Sequence, residues 1–237
     1  MRITGLYNLH KGADIYIVGT GPTSRLLPKN LLDGKISIGL NQAYKNFKVT
    51  YSITVHPELE LEHRDLVKKN ANYKTKWIVK QKAPTRLSFD DATRYVFKTS
   101  PDWNVFLGGK REVLFIGRGV QQTAIDMACR MGARNIFMIG VDMSDLGGDH
   151  HSHNQHVRFH GLPHSDVYAE YREWTYKARK LAREKAGIHV LSLSPLLGCG
   201  GLIHEEDYVQ LRSELGLSKL PTPEDTSKYT REKTDKP

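Results

Sequence analysis

Cysteine is scarce: Cys129 and Cys199 are the whole complement of 237 residues. Two are too few for a disulfide scaffold or a cysteine-type zinc site. No stretch approaches the ~20 apolar residues of a membrane span. The opening Met1-Arg2-Ile3-Thr4-Gly5-Leu6 lacks the apolar core of a secretory signal. The expected location is therefore the cytoplasm, either free or peripheral to a membrane. No internal repeat is visible, and the full dinucleotide fingerprint is missing because no third glycine follows Gly19 and Gly21 at the required spacing. A P-loop is excluded because no Gly-Lys-Ser/Thr occurs there.

What the chain has in excess is positive charge, +9 formally. That favours an anionic partner such as nucleotide phosphates, nucleic acid or an anionic surface. From Lys68 to Arg86 there are seven Lys/Arg and no carboxylate, with Tyr73 and Trp77 interleaved. This mixture suits single-stranded nucleic acid, and equally describes a solvated surface. The apolar and charged fractions, 39% and 26%, are those of a globular protein.

Apolar runs alternate with helical periodicity. Strands are expected at 15–18, 35–40, 51–55, 76–79, 113–116, 134–142 and 188–193. Val120, Ala124, Met127, Ala128 and Met131 recur at helical spacing, with Gly132 as a C-cap. A long helix reaches about Ala186, with Ser165-Asp166 as a candidate cap. Residues 1–12 read as a lead-in and 81–112 as an irregular insertion over the site. The expected architecture is α/β: a Rossmann-like, mostly parallel sheet with helices on both faces, a single-domain, GT-A-like variant spanning 1–217. The tail 218–237 is rich in Pro, Thr and balanced charge and reads as disordered.

Ligands on such sheets bind beyond the carboxyl ends of the strands. Those ends carry Gly19-Thr20-Gly21-Pro22, Asn41-Gln42, His56-Pro57, Gly117-Arg118-Gly119 and Asp142. Glycines permit close backbone approach, and turn amides can bind phosphate oxygens. An Asn amide suits a nucleobase edge or ribose hydroxyl. Arg118 beside Gly119 at a helix start forms an anion site, or else a surface arginine. Asp142 suits a ribose, a metal or a loop cap. Six of the eleven histidines fall at 150, 151, 153, 156, 160 and 164, in a loop over 143–164. One could serve as a general base, since an unperturbed pKa of about 6.5 suits proton transfer near neutrality. Their spacing matches no standard zinc pattern, and no metal ligand is assigned.

The segments Ile17-Val18-Gly19-Thr20-Gly21-Pro22-Thr23-Ser24, Leu40-Asn41-Gln42, His56-Pro57, Arg118-Gly119-Val120, Gly132 to Asp142 and His160-Gly161-Leu162-Pro163-His164-Ser165 occur in an order that resembles the bacterial CMP-sialic-acid-dependent, sialyltransferase-like glycosyltransferases. Their relatives include proteins similar to 6-hydroxymethylpterin diphosphokinase. The resemblance implies that Gly19, Thr20, Gly21 and Asn41 hold a nucleotide, and that His164, with His160 as substitute, deprotonates an acceptor hydroxyl. It implies a nucleotide-sugar donor, a CMP-sugar foremost, and a glycan or other hydroxyl-bearing, optionally anionic, acceptor. A divalent metal is compatible and not required; a homo-oligomer is compatible too. Thr20 and His56 stand where the family has asparagines, Arg118 stands near a family serine, and the family's phosphate-steadying tyrosines have no clear counterpart after Asp142. The alternatives are a diphosphokinase-like, metal-dependent phosphotransferase and a nucleic-acid-binding protein.

Overall fold

The computed structural model describes residues 1–21, 24, 30–56, 75–80, 94–108, 112–142 and 164–192, with residues 164–167 described by backbone alone. Among the described residues, eight strands form one sheet: β1 (Asp14–Val18), β2 (Ile36–Leu40), β3 (Tyr51–Thr54), β4 (Lys76–Lys80), β5 (Arg94–Ser100), β6 (Val113–Phe115), β7 (Asn135–Ile139) and β8 (His189–Ser192). Their spatial order is β6-β5-β4-β3-β2-β1-β7-β8, and every pairing is parallel. The fold is thus α/β with an open parallel sheet. The chain steps outward from β1 to β6, then returns through helix α1 (Val120–Arg130) to β7 on the other side of β1. The strand order therefore reverses between β1 and β7, where such sheets open a crevice. Helix α2 (His164–Ala186) then connects β7 to β8.

The apolar runs form strands because both faces are covered. Ile15, Ile17, Ile38, Ile53, Ile78, Ile136 and Met138 point to the face that carries α1 and α2. Tyr16, Val18, Trp77, Val79, Phe137 and Ile139 pack on the opposite face with Leu32, Tyr44, Phe47 and Val49. Continuous apolar runs are what a sheet buried on two faces requires.

Helix α1 is buried from Val120 to Cys129. It touches β1, β2, β3 and also β6. A flat sheet would hold β6 roughly 14 Å beyond β3, at about 4.8 Å per strand. The bend lies in β5, which pairs with β4 through Trp77↔Arg94 to Lys80↔Phe97, but with β6 through Lys98↔Val113 to Ser100↔Phe115. The sheet thus curls around α1.

A buried ion pair locks this curl. Asp126 Oδ1 accepts from the Leu107 amide at 3.0 Å and Oδ2 from the Phe115 amide at 2.8 Å. Arg130 Nε donates to Asp126 Oδ1 at 2.9 Å, and its Nη2 donates to Val105 O at 2.7 Å. Arg130 also donates to the Tyr7 hydroxyl at 3.1 Å. Two side chains one turn apart therefore bind α1, β6, the 103–108 turn and the N-terminal segment. Leu107, at φ +56°, is held in the left-handed region by these bonds.

Three sequence readings are corrected. Residues 1–12 are more than a lead-in: Ile3 and Leu6 are fully buried, and the amides of Asn8, His10 and Gly12 donate to the carbonyls of Arg130, Met131 and Gly132 at the end of α1. Residues 94–100, read within an irregular insertion, are strand β5, with Tyr95 and Phe97 inward. Helix α2 begins at His164, so Ser165-Asp166 lies inside it and does not cap it. Gly132 behaves as expected of a residue just past a helix end, at φ +87°. A Cβ there would lie 2.8 Å from Lys11 Cα. The expected tail 218–237, most of the 68–86 basic stretch, residues 81–93 of the insertion and the histidine loop over 143–163 lie outside the described residues.

Candidate functional site

All strands being parallel, the residues that follow them share one edge. At the switch between β1 and β7 two loops cross in close contact. The Gly19 amide donates to Ile139 O and the Gly21 amide to Gly140 O, both at 2.7 Å. A Cβ at Gly19 would run into Gly140 O, and one at Gly21 into the carboxylate of Asp142. The two glycines are therefore required by the packing of one strand end on the other. Their amides are engaged inside the fold and are not left for a phosphate oxygen. Gly140 itself holds φ +60°, and a Cβ there would lie 2.7 Å from Ser24 Cβ.

Asp142 is brought against the Gly21 position at this switch point, with 2% of its surface exposed. The Gly21 position makes the room for its carboxylate. Thr20, between the glycines, is half-buried. One strand over, Asn41 follows β2 at φ +50°. Asn tolerates this left-handed conformation better than most residues, which gives the residue a backbone reason for its place. Its amide donates to Ile53 O at 2.9 Å, and Thr54 Oγ1 donates to its Oδ1 at 3.1 Å. The carboxamide is thereby oriented, with its oxygen committed to the protein and its Nδ2 turned to the other side. Gln42 is buried. His56, beyond β3, is exposed, and its amide donates to Thr54 Oγ1 at 3.0 Å. Thr54 is thus a shared strut for Asn41 and His56, which the sequence reading did not single out. A threonine at a strand end carries no signal that separates this role from β propensity.

Arg118 sits at the end of β6, on the curled part of the sheet. Its Nε lies 3.0 Å from Glu170 Oε2, and its guanidinium lies 5.8 Å from the centre of the Trp174 ring. Both partners belong to α2. The Arg118 and Glu170 side chains are 54% and 47% exposed, so the pair is a surface one that water and ions can compete for. Beneath it the contact is buried. The Gly119 amide donates to Gln122 Oε1 at 2.8 Å, and Gln122 Nε2 donates to Thr175 Oγ1 at 2.9 Å. A Cβ at Gly117 would lie 3.0 Å from the Trp174 ring. Burial pushes the Tyr171 phenol above its ordinary pKa, Glu170 adds to this and Arg118 opposes it. The start of α1 and the first half of α2 are therefore fixed to each other, and Arg118 is placed beside α2 rather than beside Gly19.

The amino end of α2 lies toward the same edge as the crevice, because only Gly187 and Ile188 separate its carboxyl end, Ala186, from β8, which starts at the opposite edge parallel to β7. His164 is its first residue. At 1.5 Å per residue, Glu170 and its partner Arg118 lie about 9 Å along the helix from that start. Pro22 and His160 lie outside the described residues. Among the described residues no three of His, Cys, Asp and Glu gather in a form that could hold a metal ion. No described helix is long and apolar enough to cross a membrane.

No protein-family model and no curated protein matches the chain. Among solved structures, the chain is similar to the MAf glycosyltransferase from Magnetospirillum magneticum AMB-1 at 14% identity and a TM-score of 0.49. The similarity covers 92% of this chain, which spans 40% of the length of that one.

Proposed function

We propose that the chain is a nucleotide-sugar-dependent glycosyltransferase, with a CMP-sugar as the favoured donor. The observation that carries the reading is the shared edge: the Gly19–Gly21 turn, the oriented Asn41 carboxamide and buried Asp142 flank the β1/β7 switch, and α2 begins with His164 on the same edge. A crevice at such a switch is where open α/β sheets take nucleotides. In this reading Asn41 Nδ2 donates to the base or ribose, Thr20 and the turn form the floor, and Asp142 accepts from a ribose hydroxyl. Gln42 and Gly119 act behind the site, holding backbone. In the same reading His56, exposed beyond β3, and Arg118, beside α2, serve as donor and cation for the leaving phosphate.

The reaction is a displacement at the anomeric carbon. The acceptor hydroxyl forms the new C–O bond, His164 takes its proton, and the sugar–phosphate bond breaks with its electron pair leaving on the nucleotide. His160 is the alternative base. A phosphate leaving group needs positive charge or donors and no protonation.

The test is a panel of CMP-, UDP- and GDP-sugars, read by release of free nucleotide and by thermal shift. Donor hydrolysis with one nucleotide class, reduced at least 100-fold in His164→Ala, is the expected outcome. A panel with neither binding nor turnover, or full activity in both His164→Ala and His160→Ala, overturns the proposal.

A further inference from the structure

The edge of the sheet opposite the crevice carries an unusual charge pattern. Parallel strands also share their amino ends, and in spatial order these ends carry Arg94, Lys76, Lys35 and Arg134. At about 4.8 Å per strand, Arg94 and Lys76 are neighbours, while Lys35 stands roughly 10 Å further on. The two carboxylates at these ends are already paired: Arg134 holds Asp14 through both oxygens at 3.1 and 2.9 Å, with Asn135 donating to it at 3.0 Å, and Glu112, just before β6, lies 2.7 Å from Arg2 Nη1. Lys11 joins the row, because the adjoining Gly12 amide donates to Gly132 O just before β7. Burial, and then the Lys76 ammonium, pull the His10 imidazole below its ordinary pKa.

Two further features narrow the partner. The tyrosines beneath the lysines are not available for stacking: Lys35 Nζ lies 5.5 Å from the centre of Tyr16 and Lys76 Nζ 5.8 Å from that of Tyr51, and both rings are buried. Stacking platforms for single-stranded nucleic acid are therefore absent from this row among the described residues. Leu9, two residues before Lys11, is instead 51% exposed. Met1, whose ammonium donates to Arg94 O at 2.8 Å, is 53% exposed, and such apolar side chains among cations suit the boundary between headgroups and acyl chains.

We propose that the amino edge of the sheet, with Lys11, Lys35, Lys76 and Leu9, is a docking surface for anionic lipid headgroups. Seated so, the protein presents the β1/β7 crevice away from the bilayer, about 17 Å above it for five-residue strands. Docking is independent of the transferase reading and needs no nucleotide.

The test is co-sedimentation of the full chain with phosphatidylglycerol-rich and with pure phosphatidylcholine vesicles, at 50 and 500 mM salt. Binding to the anionic vesicles at low salt is expected, with loss at high salt and none on the neutral ones. Each neutralised lysine should lower partitioning about fivefold, so Lys11→Gln/Lys35→Gln/Lys76→Gln should lower it roughly 100-fold. Leu9→Ser should lower it severalfold, and Lys45→Gln, on the crevice edge, should leave it unchanged. Absence of binding at low salt, or equal binding by the triple variant with an unchanged melting temperature, overturns the proposal. So does tighter, equally variant-sensitive binding to duplex DNA or to single-stranded RNA, which would make the edge a nucleic-acid surface.

Discussion

Removing the carboxylate of Asp126 should be among the most damaging single changes in the described fold. Asp126 is fully buried and takes four donors: the Leu107 and Phe115 amides and two nitrogens of Arg130. Asp126→Ala leaves the guanidinium without its counter-charge and two amides without acceptors. Breaking a buried pair in this way costs about 3–5 kcal/mol. Each orphaned amide contributes within that sum at the scale of ~1–3 kcal/mol. For a chain of this size that corresponds to a melting-temperature loss of roughly 6–20 °C. Arg130→Ala should cost a similar amount, because Asp126 then keeps its amides but loses its cation. The double variant should cost less than the two singles together by about 1–3 kcal/mol, since the charge strands no partner once both are gone. It should nonetheless stay well below wild type, because Leu107 N and Phe115 N remain without an acceptor. Urea unfolding of all four proteins measures the cycle. A loss under about 1 kcal/mol for Asp126→Ala, or strict additivity, would refute the argument that this pair fastens β6 onto α1.

Three other outcomes follow from the same geometry. Gly21→Ala drives a methyl group into the Asp142 carboxylate and should cost about 1–3 kcal/mol while weakening nucleotide binding; an unchanged melting temperature together with unchanged binding would show that the two loops do not meet as described. Thr54→Val removes the donor to Asn41 Oδ1 and should cost about 1 kcal/mol, with a loss of nucleotide affinity larger than this stability change alone would produce in calorimetry. His10 is held below its ordinary pKa of about 6.5 by burial and then by Lys76, so the fold favours its neutral form. Its contribution is therefore complete above about pH 6.5 and declines as pH falls below that value toward the lowered pKa. Melting curves between pH 5 and 7 should show this slope in the wild type and a flatter one in His10→Gln.

Much of the sheet was legible because a strand buried on both faces must be apolar throughout, as Ile136-Phe137-Met138-Ile139 is. Helix α1 was legible from its spacing, although its burial through to Cys129 was not, since the polar Gln122, Thr123 and Asp126 are buried with the apolar positions. β5 was obscured by its composition: Arg94, Val96 and Lys98 alternate with Tyr95 and Phe97 in a stretch bounded by Pro84 and Pro101. Ile3 and Leu6 were missed because two apolar positions make no period. At the crevice, sequence located the glycine turn but not the neighbouring loop that its glycines accommodate. A glycine that accommodates a neighbouring loop and one that admits a ligand look alike until Gly140 and Asp142 are in place. Likewise Arg118 stood out between two glycines, while its partners Glu170 and Trp174, some fifty residues later, could not be inferred from spacing.

The position of β1 at the turning point of the strand order also governs how the chain can be made. Its first neighbour, β2, follows at once, but its second, β7, is synthesised roughly 120 residues later. At 5–20 residues per second, Ile15 to Val18 would wait about 6–24 s with one margin uncovered. An uncovered apolar margin is a template for any other extended chain. A fragment ending at residue 134 should accordingly self-associate by light scattering, and a fragment ending past β8 should do so less. The reversal that opens a crevice in the finished molecule is thus also the seam through which an unfinished one is most exposed to its neighbours on the ribosome.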